Sequence, residues 1–259
     1  MKKLLLTAVF ALGCIGMNAQ GTLTLSTYKG TELSKYTGKT FNVTVNRYVF
    51  NGWNTISLPI SMTEAQVNEV FGTDCKLERL VGVENDGQGI RLNFQNCKSE
   101  GIKANTPYIL YYTGTTGTKK IKVDNALVTD AAATLTFTAE GTGETVTMSC
   151  AKQHTQAAGL YGIKAKDNAE AAFVNVDEAS NGFYATRCYI QLSNGNSTVL
   201  TTNHIAGDVT SISSVVKNGE KVDVYNISGV KVASQINASE VNSLQKGIYV
   251  IKGKKVLVK

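Results

Sequence analysis

Residues 77–96 read LERLVGVENDGQGIRLNFQN. Leu77–Val83 and Ile90–Asn96 are two strand-like runs, and Glu84-Asn85-Asp86-Gly87-Gln88-Gly89 between them is rich in turn residues. A hairpin follows, and with it an expectation of β structure for the chain around it. The flanks agree. Leu23, Leu25, Phe41, Val43 and Val45 alternate with polar residues, the period of a half-buried strand. Trp53 to Ile60 reads as another strand, with Ile56, Leu58 and Ile60 on one face. Pro59 lacks a ladder donor, so that strand belongs at an edge or ends near Pro59. Pro107-Tyr108-Ile109-Leu110-Tyr111-Tyr112 has the wording of a buried strand.

One segment changes period. Thr63 to Gly72 carries a capping Thr63, Glu64 in the first turn, a Val67/Val70/Phe71 stripe and a Gly72 stop, the pattern of a short helix. Short strands separated by turn residues then continue to about Thr201. The reading is all-β: a β-sandwich or jelly-roll-like body with one short helix over residues 20–202. Residues 203–214, NHIAGDVTSISS, are small, polar and free of aromatics, and are read as a linker. Residues 215–259 form a separate C-terminal module, read as a small β-sandwich.

The first nineteen residues read as a secretory signal peptide. Lys2 and Lys3 precede an apolar run from Leu4 to Ile15, too short to span a bilayer, and Ala19 offers a cleavage position. A lipoprotein alternative needs Cys14 as the modified residue, and Ala11-Leu12-Gly13 matches that pattern poorly. No other run is apolar and long enough for a membrane helix. The net charge of +6 belongs to the two ends: residues 20–211 carry sixteen basic and seventeen acidic side chains, whereas residues 212–259 carry eight lysines against Glu220, Asp223 and Glu240. A near-neutral body argues against a nucleic-acid role.

Loss of the signal leaves Cys75, Cys97, Cys150 and Cys188. An even count in an exported chain suggests two disulfides among three connectivities. Folding about the 84–89 loop brings Cys75 opposite Cys97 or within one residue of it, and elimination then pairs Cys150 with Cys188; the alternative is four reduced, buried side chains. No CxxC occurs and only His154 and His204 are present, so no metal site is assigned and no cofactor is implied. His154 has no obvious partner in sequence, and His204 falls in the linker.

No Gly-x-Ser-x-Gly elbow or His-Glu-x-x-His motif occurs. Asp177-Glu178 is the densest acidic pair, but neighbours on a strand point to opposite faces. Asn85 to Gly89 is too short for a calcium loop and reads better as a turn. Trp53, amid an apolar strand, reads as core. Tyr111 and Tyr112 must face opposite ways, which marks them as candidate ligand contacts; Tyr184 and Tyr189 are similar cases.

The C-terminal module carries VDVYNISGVKV at 222–232, LQKGIYVI at 244–251 and KKVLVK at 254–259. These three blocks, in order and covering about forty-five residues, resemble the C-terminal sorting domains of type IX secretion substrates in Bacteroidetes. The resemblance implies Tyr225, Asn226, Gly229, Lys231, Gly247, Tyr249, Lys254, Lys255 and Lys259 as sorting-signal positions. It departs at Val230, where Arg or Lys is common. It implies export across the inner and outer membranes to the cell surface, with the type IX machinery and a sortase-like peptidase as partners. Trp53 to Pro59, Val70-Phe71-Gly72 and Gly101 to Leu110 resemble, more loosely, an uncharacterised β-rich domain of secreted Bacteroidetes proteins, which brings no active site. The function expected is a non-catalytic surface protein whose body binds a glycan or protein or builds the surface layer. The alternatives are a glycoside hydrolase with paired carboxylates and a filament subunit.

Overall fold

The structure is a computed structural model describing residues 21–156, 158–164, 172–176, 182–194, 199–205, 216 and 220–258. The signal segment, Asp177-Glu178, Lys259 and most of the linker lie outside the described residues. The fold is mostly β. The strands are β1 (Thr22–Leu25), β2 (Thr40–Val49), β3 (Gly52–Ile56), β4 (Lys76–Asn85), β5 (Ile90–Asn96), β6 (Tyr108–Tyr112), β7 (Gly117–Leu127), β8 (Leu135–Thr138), β9 (Thr145–Cys150), β10 (Tyr161–Lys164), β11 (Ala172–Asn175), β12 (Cys188–Leu192), β13 (Leu200–Ile205), β14 (Val222–Asn226), β15 (Lys231–Ile236), β16 (Gly247–Ile251) and β17 (Lys254–Val258). Helix α1 is Glu64–Phe71 and α2 is Ala238–Asn242.

The body has three layers. A central sheet in the order β13-β5-β4-β6-β3 lies between a three-stranded sheet, β1-β2-β7, and a second five-stranded sheet, β11-β10-β12-β9-β8. Two hydrophobic cores share the central sheet. On one side Ile56, Leu77, Tyr108 and Leu110 pack with Val43, Val45, Ile121 and the α1 residues Val67 and Phe71. On the other Trp53, Leu80, Leu92, Phe94 and Ile109 pack with Val146, Met148, Phe173 and Ile190. Burial on both faces is why β6 reads as a near-continuous apolar run. β3 is an edge strand and ends at Ile56, before Pro59.

Local chemistry sets the elements. Thr63 and Gln66 form a reciprocal capping box at the start of α1. Asp86 closes the β4–β5 turn: its carboxylate accepts the N–H groups of Gln88 and Gly89 at 3.0 and 2.9 Å, which holds its pKa below the usual carboxylate range.

Two boundaries differ from the sequence reading. β13 continues through Ile205, parallel to β5 from Leu200↔Ile90 to Ile205↔Gln95, so residues 203–205 are strand rather than linker. The C-terminal module is, among the described residues, one antiparallel sheet in the order β15-β14-β16-β17 rather than two facing sheets. Its core is closed by Val241 of α2 and by Val216 against Val222, Val224, Ile251, Val256 and Val258. A helix laid on one face does the covering that a second sheet would do.

Candidate functional site

The C-terminal sheet gives structural reasons for its motif. Asn226 accepts the Val230 N–H on its side-chain oxygen at 2.9 Å and donates its own N–H to the Val230 carbonyl at 2.8 Å. Gly229 closes this turn at φ +83°, where a side chain would be strained. Lys231 lies 5.6 Å from the Tyr225 ring centroid and 2.8 Å from an Asp223 oxygen. Asp223 also accepts from Ser234 and from the Gln235 N–H; hydrogen bonds from Lys231 and then Ser234 hold its pKa far below the usual carboxylate range. Gly247 opens β16, and the Tyr249 hydroxyl donates to the Gln245 carbonyl at 2.8 Å. Lys252 and Gly253, both at positive φ, form the two-residue β16–β17 turn that presents Lys254 and Lys255. Lys254 is exposed and Lys255 half-buried.

Among the described residues the module packs on the body through an apolar cluster. A bulge leaves Val81 out of register between β4 and β5, and Val81 packs with Ile205 and with Ile248, Ile227 and Leu257 of the C-terminal sheet. Re-aiming a side chain is what a bulge does. Beside this contact lies a groove of about 370 Å³ whose walls come from both units. Glu84 and Glu140 both line it. Glu84 is engaged by Arg91 at 3.6 Å and by the Asn93 amide at 3.3 Å.

The four cysteines are free thiols. The Cys75–Cys97 pairing is corrected by the register: the hairpin closes at Asn85↔Ile90, inside the 84–89 loop, and the Cys97 N–H donates to the Leu77 carbonyl, two residues beyond Cys75. Burial pushes the Cys97 thiol up to about 12 and raises that of Cys75. Cys150 and Cys188, unbonded here, do stand directly opposite each other on β9 and β12. The flanking bonds, Ala151 N–H to the Arg187 carbonyl and Ser193 N–H to the Thr145 carbonyl, make theirs a non-hydrogen-bonded pair. A hydrogen bond from Cys188 lowers the Cys150 pKa, whereas burial raises that of Cys188 well above the ordinary thiol value.

Tyr111 and Tyr112 are not free platforms. Tyr112 is buried, with its ring against Gly114 and Lys119 above it at 4.7 Å. Tyr111 is half-buried, 5.1 Å from Trp53, with Lys76 5.5 Å from its ring. A central-sheet strand has a core on each face, so opposite-facing side chains are both covered. His204 is corrected from linker to β13: its Nδ1 lies 2.6 Å from the buried Glu78 carboxylate, and its ring stacks on Trp53 at 4.4 Å.

A surface cluster joins Tyr184 and His154, both weighed in the sequence, to Tyr28, which was not. Tyr28, in the loop after β1, is 64% exposed and stacks on Tyr184 at 4.9 Å and 29°. His154 adds a third ring, 5.5 Å from Tyr184. Among the described residues no group of His, Cys, Asp and Glu is arranged to hold a metal ion, and no helix is long and apolar enough to cross a membrane.

No family model matches the chain, and no curated protein or solved structure matches it.

Proposed function

We propose that this is an exported, surface-attached protein in which residues 215–259 are the address for type IX secretion and the body is a binding module. The observation carrying the reading is the self-contained build of the C-terminal unit. Among the described residues none of its strands pairs with a body strand, it has its own core, and the motif residues Tyr225, Asn226, Gly229 and Lys231 organise one turn and its flanks. An address recognised by a dedicated machinery needs a small unit that folds the same way behind different bodies. Transplanting residues 215–259 onto an inert exported reporter tests this: surface delivery that depends on the type IX machinery supports it, and periplasmic retention of the fusion counts against it. After delivery a sortase-like peptidase is the partner that would separate tail from body.

Export also accounts for the cysteines. The Cys150–Cys188 register has Cα atoms about 4.5 Å apart by strand geometry, inside the range of about 4.4–6.8 Å that a disulfide accepts. Two thiols would release two protons and two electrons to a dithiol–disulfide oxidoreductase, with Cys150, the more exposed and more acidic thiol, attacking the donor disulfide first.

A second reading rests on the groove that holds Glu84 and Glu140. Glycan hydrolysis by the mature chain, abolished by Glu140→Gln, would favour it. The groove takes part of its wall from the tail, so removal of the tail would dismantle it. That makes the body's own surface the better place for a lasting function.

A further inference from the structure

We infer that Tyr28, Tyr184 and His154 form a stacking platform for a pyranose ring of a glycan. The inference rests on reading the body as a binding module and names where it binds.

Three distant loops build the platform. Tyr28 follows β1, His154 follows β9 and Tyr184 precedes β12. Nothing in local sequence joins them, yet backbone bonds lock them together. Gly30 bridges to Gln153, the His154 N–H donates to the Lys29 carbonyl at 3.4 Å, and Thr155 and Phe183 exchange bonds of 2.9 and 2.8 Å. Two glycines sit where no other residue fits. A Cβ on Gly30 would lie 2.5 Å from the Lys152 carbonyl oxygen, and one on Gly182 would lie 2.3 Å from that of Thr155. Both have positive φ, +89° and +70°. The rings are therefore held on a preorganised backbone, which lowers the ordering cost of binding.

Tyr28 gains little from the fold where it stands. Neither it nor Tyr184 belongs to any of the hydrophobic cores. One ring supports the other, and Tyr28 is the most exposed large apolar side chain among the described residues. A flat apolar face with a polar edge matches the C–H face and hydroxyl rim of a sugar. A protein partner is a poorer fit, because a stable interface needs roughly 800 Å² from each side and this cluster is a few rings wide. Tyr48 and Phe50 form another exposed aromatic pair, but edge-to-face at 76°, which presents no shared flat surface.

The test is a glycan array of neutral and acidic oligosaccharides probed with the mature chain, followed by titration of the best ligand. Tyr28→Ala and Tyr184→Ala are each expected to weaken binding on the order of tenfold. Tyr28→Phe is expected to retain most of it, and Tyr48→Ala to leave it unchanged. Thermal melting confirms that each variant folds. Glycan binding that survives Tyr28→Ala and Tyr184→Ala would overturn the platform while leaving a glycan-binding body. Absence of any glycan signal from the unmodified chain would overturn the platform and the glycan reading together.

Discussion

Cys150 and Cys188 face each other across β9 and β12 with no ladder hydrogen bond between them, and the Cys188 N–H turns instead to the Thr55 hydroxyl at 3.0 Å. Four cysteines thus divide into one opposed pair and two separately buried thiols. Alkylation of the exported protein without reductant, followed by peptide mapping, is expected to show one cross-link, Cys150 to Cys188, with Cys75 and Cys97 modified only after denaturation. Closing that loop contributes about 3–4 kcal/mol in the chain-entropy treatment, so Cys150→Ser should lower the unfolding midpoint clearly under oxidising conditions and little under reducing ones. A Cys75–Cys97 link would contradict the register.

The Glu78–His204 contact ties the last described body strand to the middle of the central sheet. Replacing His204 with Ala leaves a carboxylate that is 4% exposed without its partner and strips one face from Trp53. A loss of about 2–3 kcal/mol is expected, read from urea unfolding. A change under about 0.5 kcal/mol would mean that the contact carries no stability.

Gly30→Ala combines an unfavourable positive φ with a clash against backbone, and should destabilise the body by well over about 1 kcal/mol. Gly38→Ala is the control, since its φ is +77° but nothing lies within 4 Å of an added Cβ. The two variants separate strain from crowding: similar losses would show that the approach of Gly30 to Lys152 is not tight.

Asp223 gives the C-terminal sheet an acid-sensitive joint. Its folded pKa is depressed, so its contribution is complete above the unfolded carboxylate value of about 3.9 and is lost as pH falls through the lower folded value. Exchange of the Gln235 amide, which donates to Asp223 at 3.1 Å, should accelerate as the pH drops through this window. Asp223→Asn should accelerate it at neutral pH and flatten the dependence.

Much of the body was legible because its signals are local. The 77–96 hairpin, the capped α1 and the edge placement of β3 each rest on residues close in sequence. What was not legible is register and non-local packing. The turn closes at Asn85↔Ile90, inside the 84–89 loop, and that tighter closure sets Cys97 against Leu77 instead of Cys75. Asn203 and His204 read as linker because their polar side chains are satisfied by Asn93 and Glu78, more than a hundred residues away. Tyr108–Tyr112 read as a buried strand, but which elements cover its two faces is set by distant strands. Tyr28 carried no signal of its own in the sequence, and its partner Tyr184 comes 156 positions later, so only the folded chain joins them.

The most direct test of the account compares the full chain with a chain ending at Ser211, each expressed in a host with and without type IX secretion. Surface delivery of the full chain is expected only when the machinery is present, with periplasmic accumulation of a folded, glycan-competent truncated chain. Normal surface delivery of the truncated chain would contradict it.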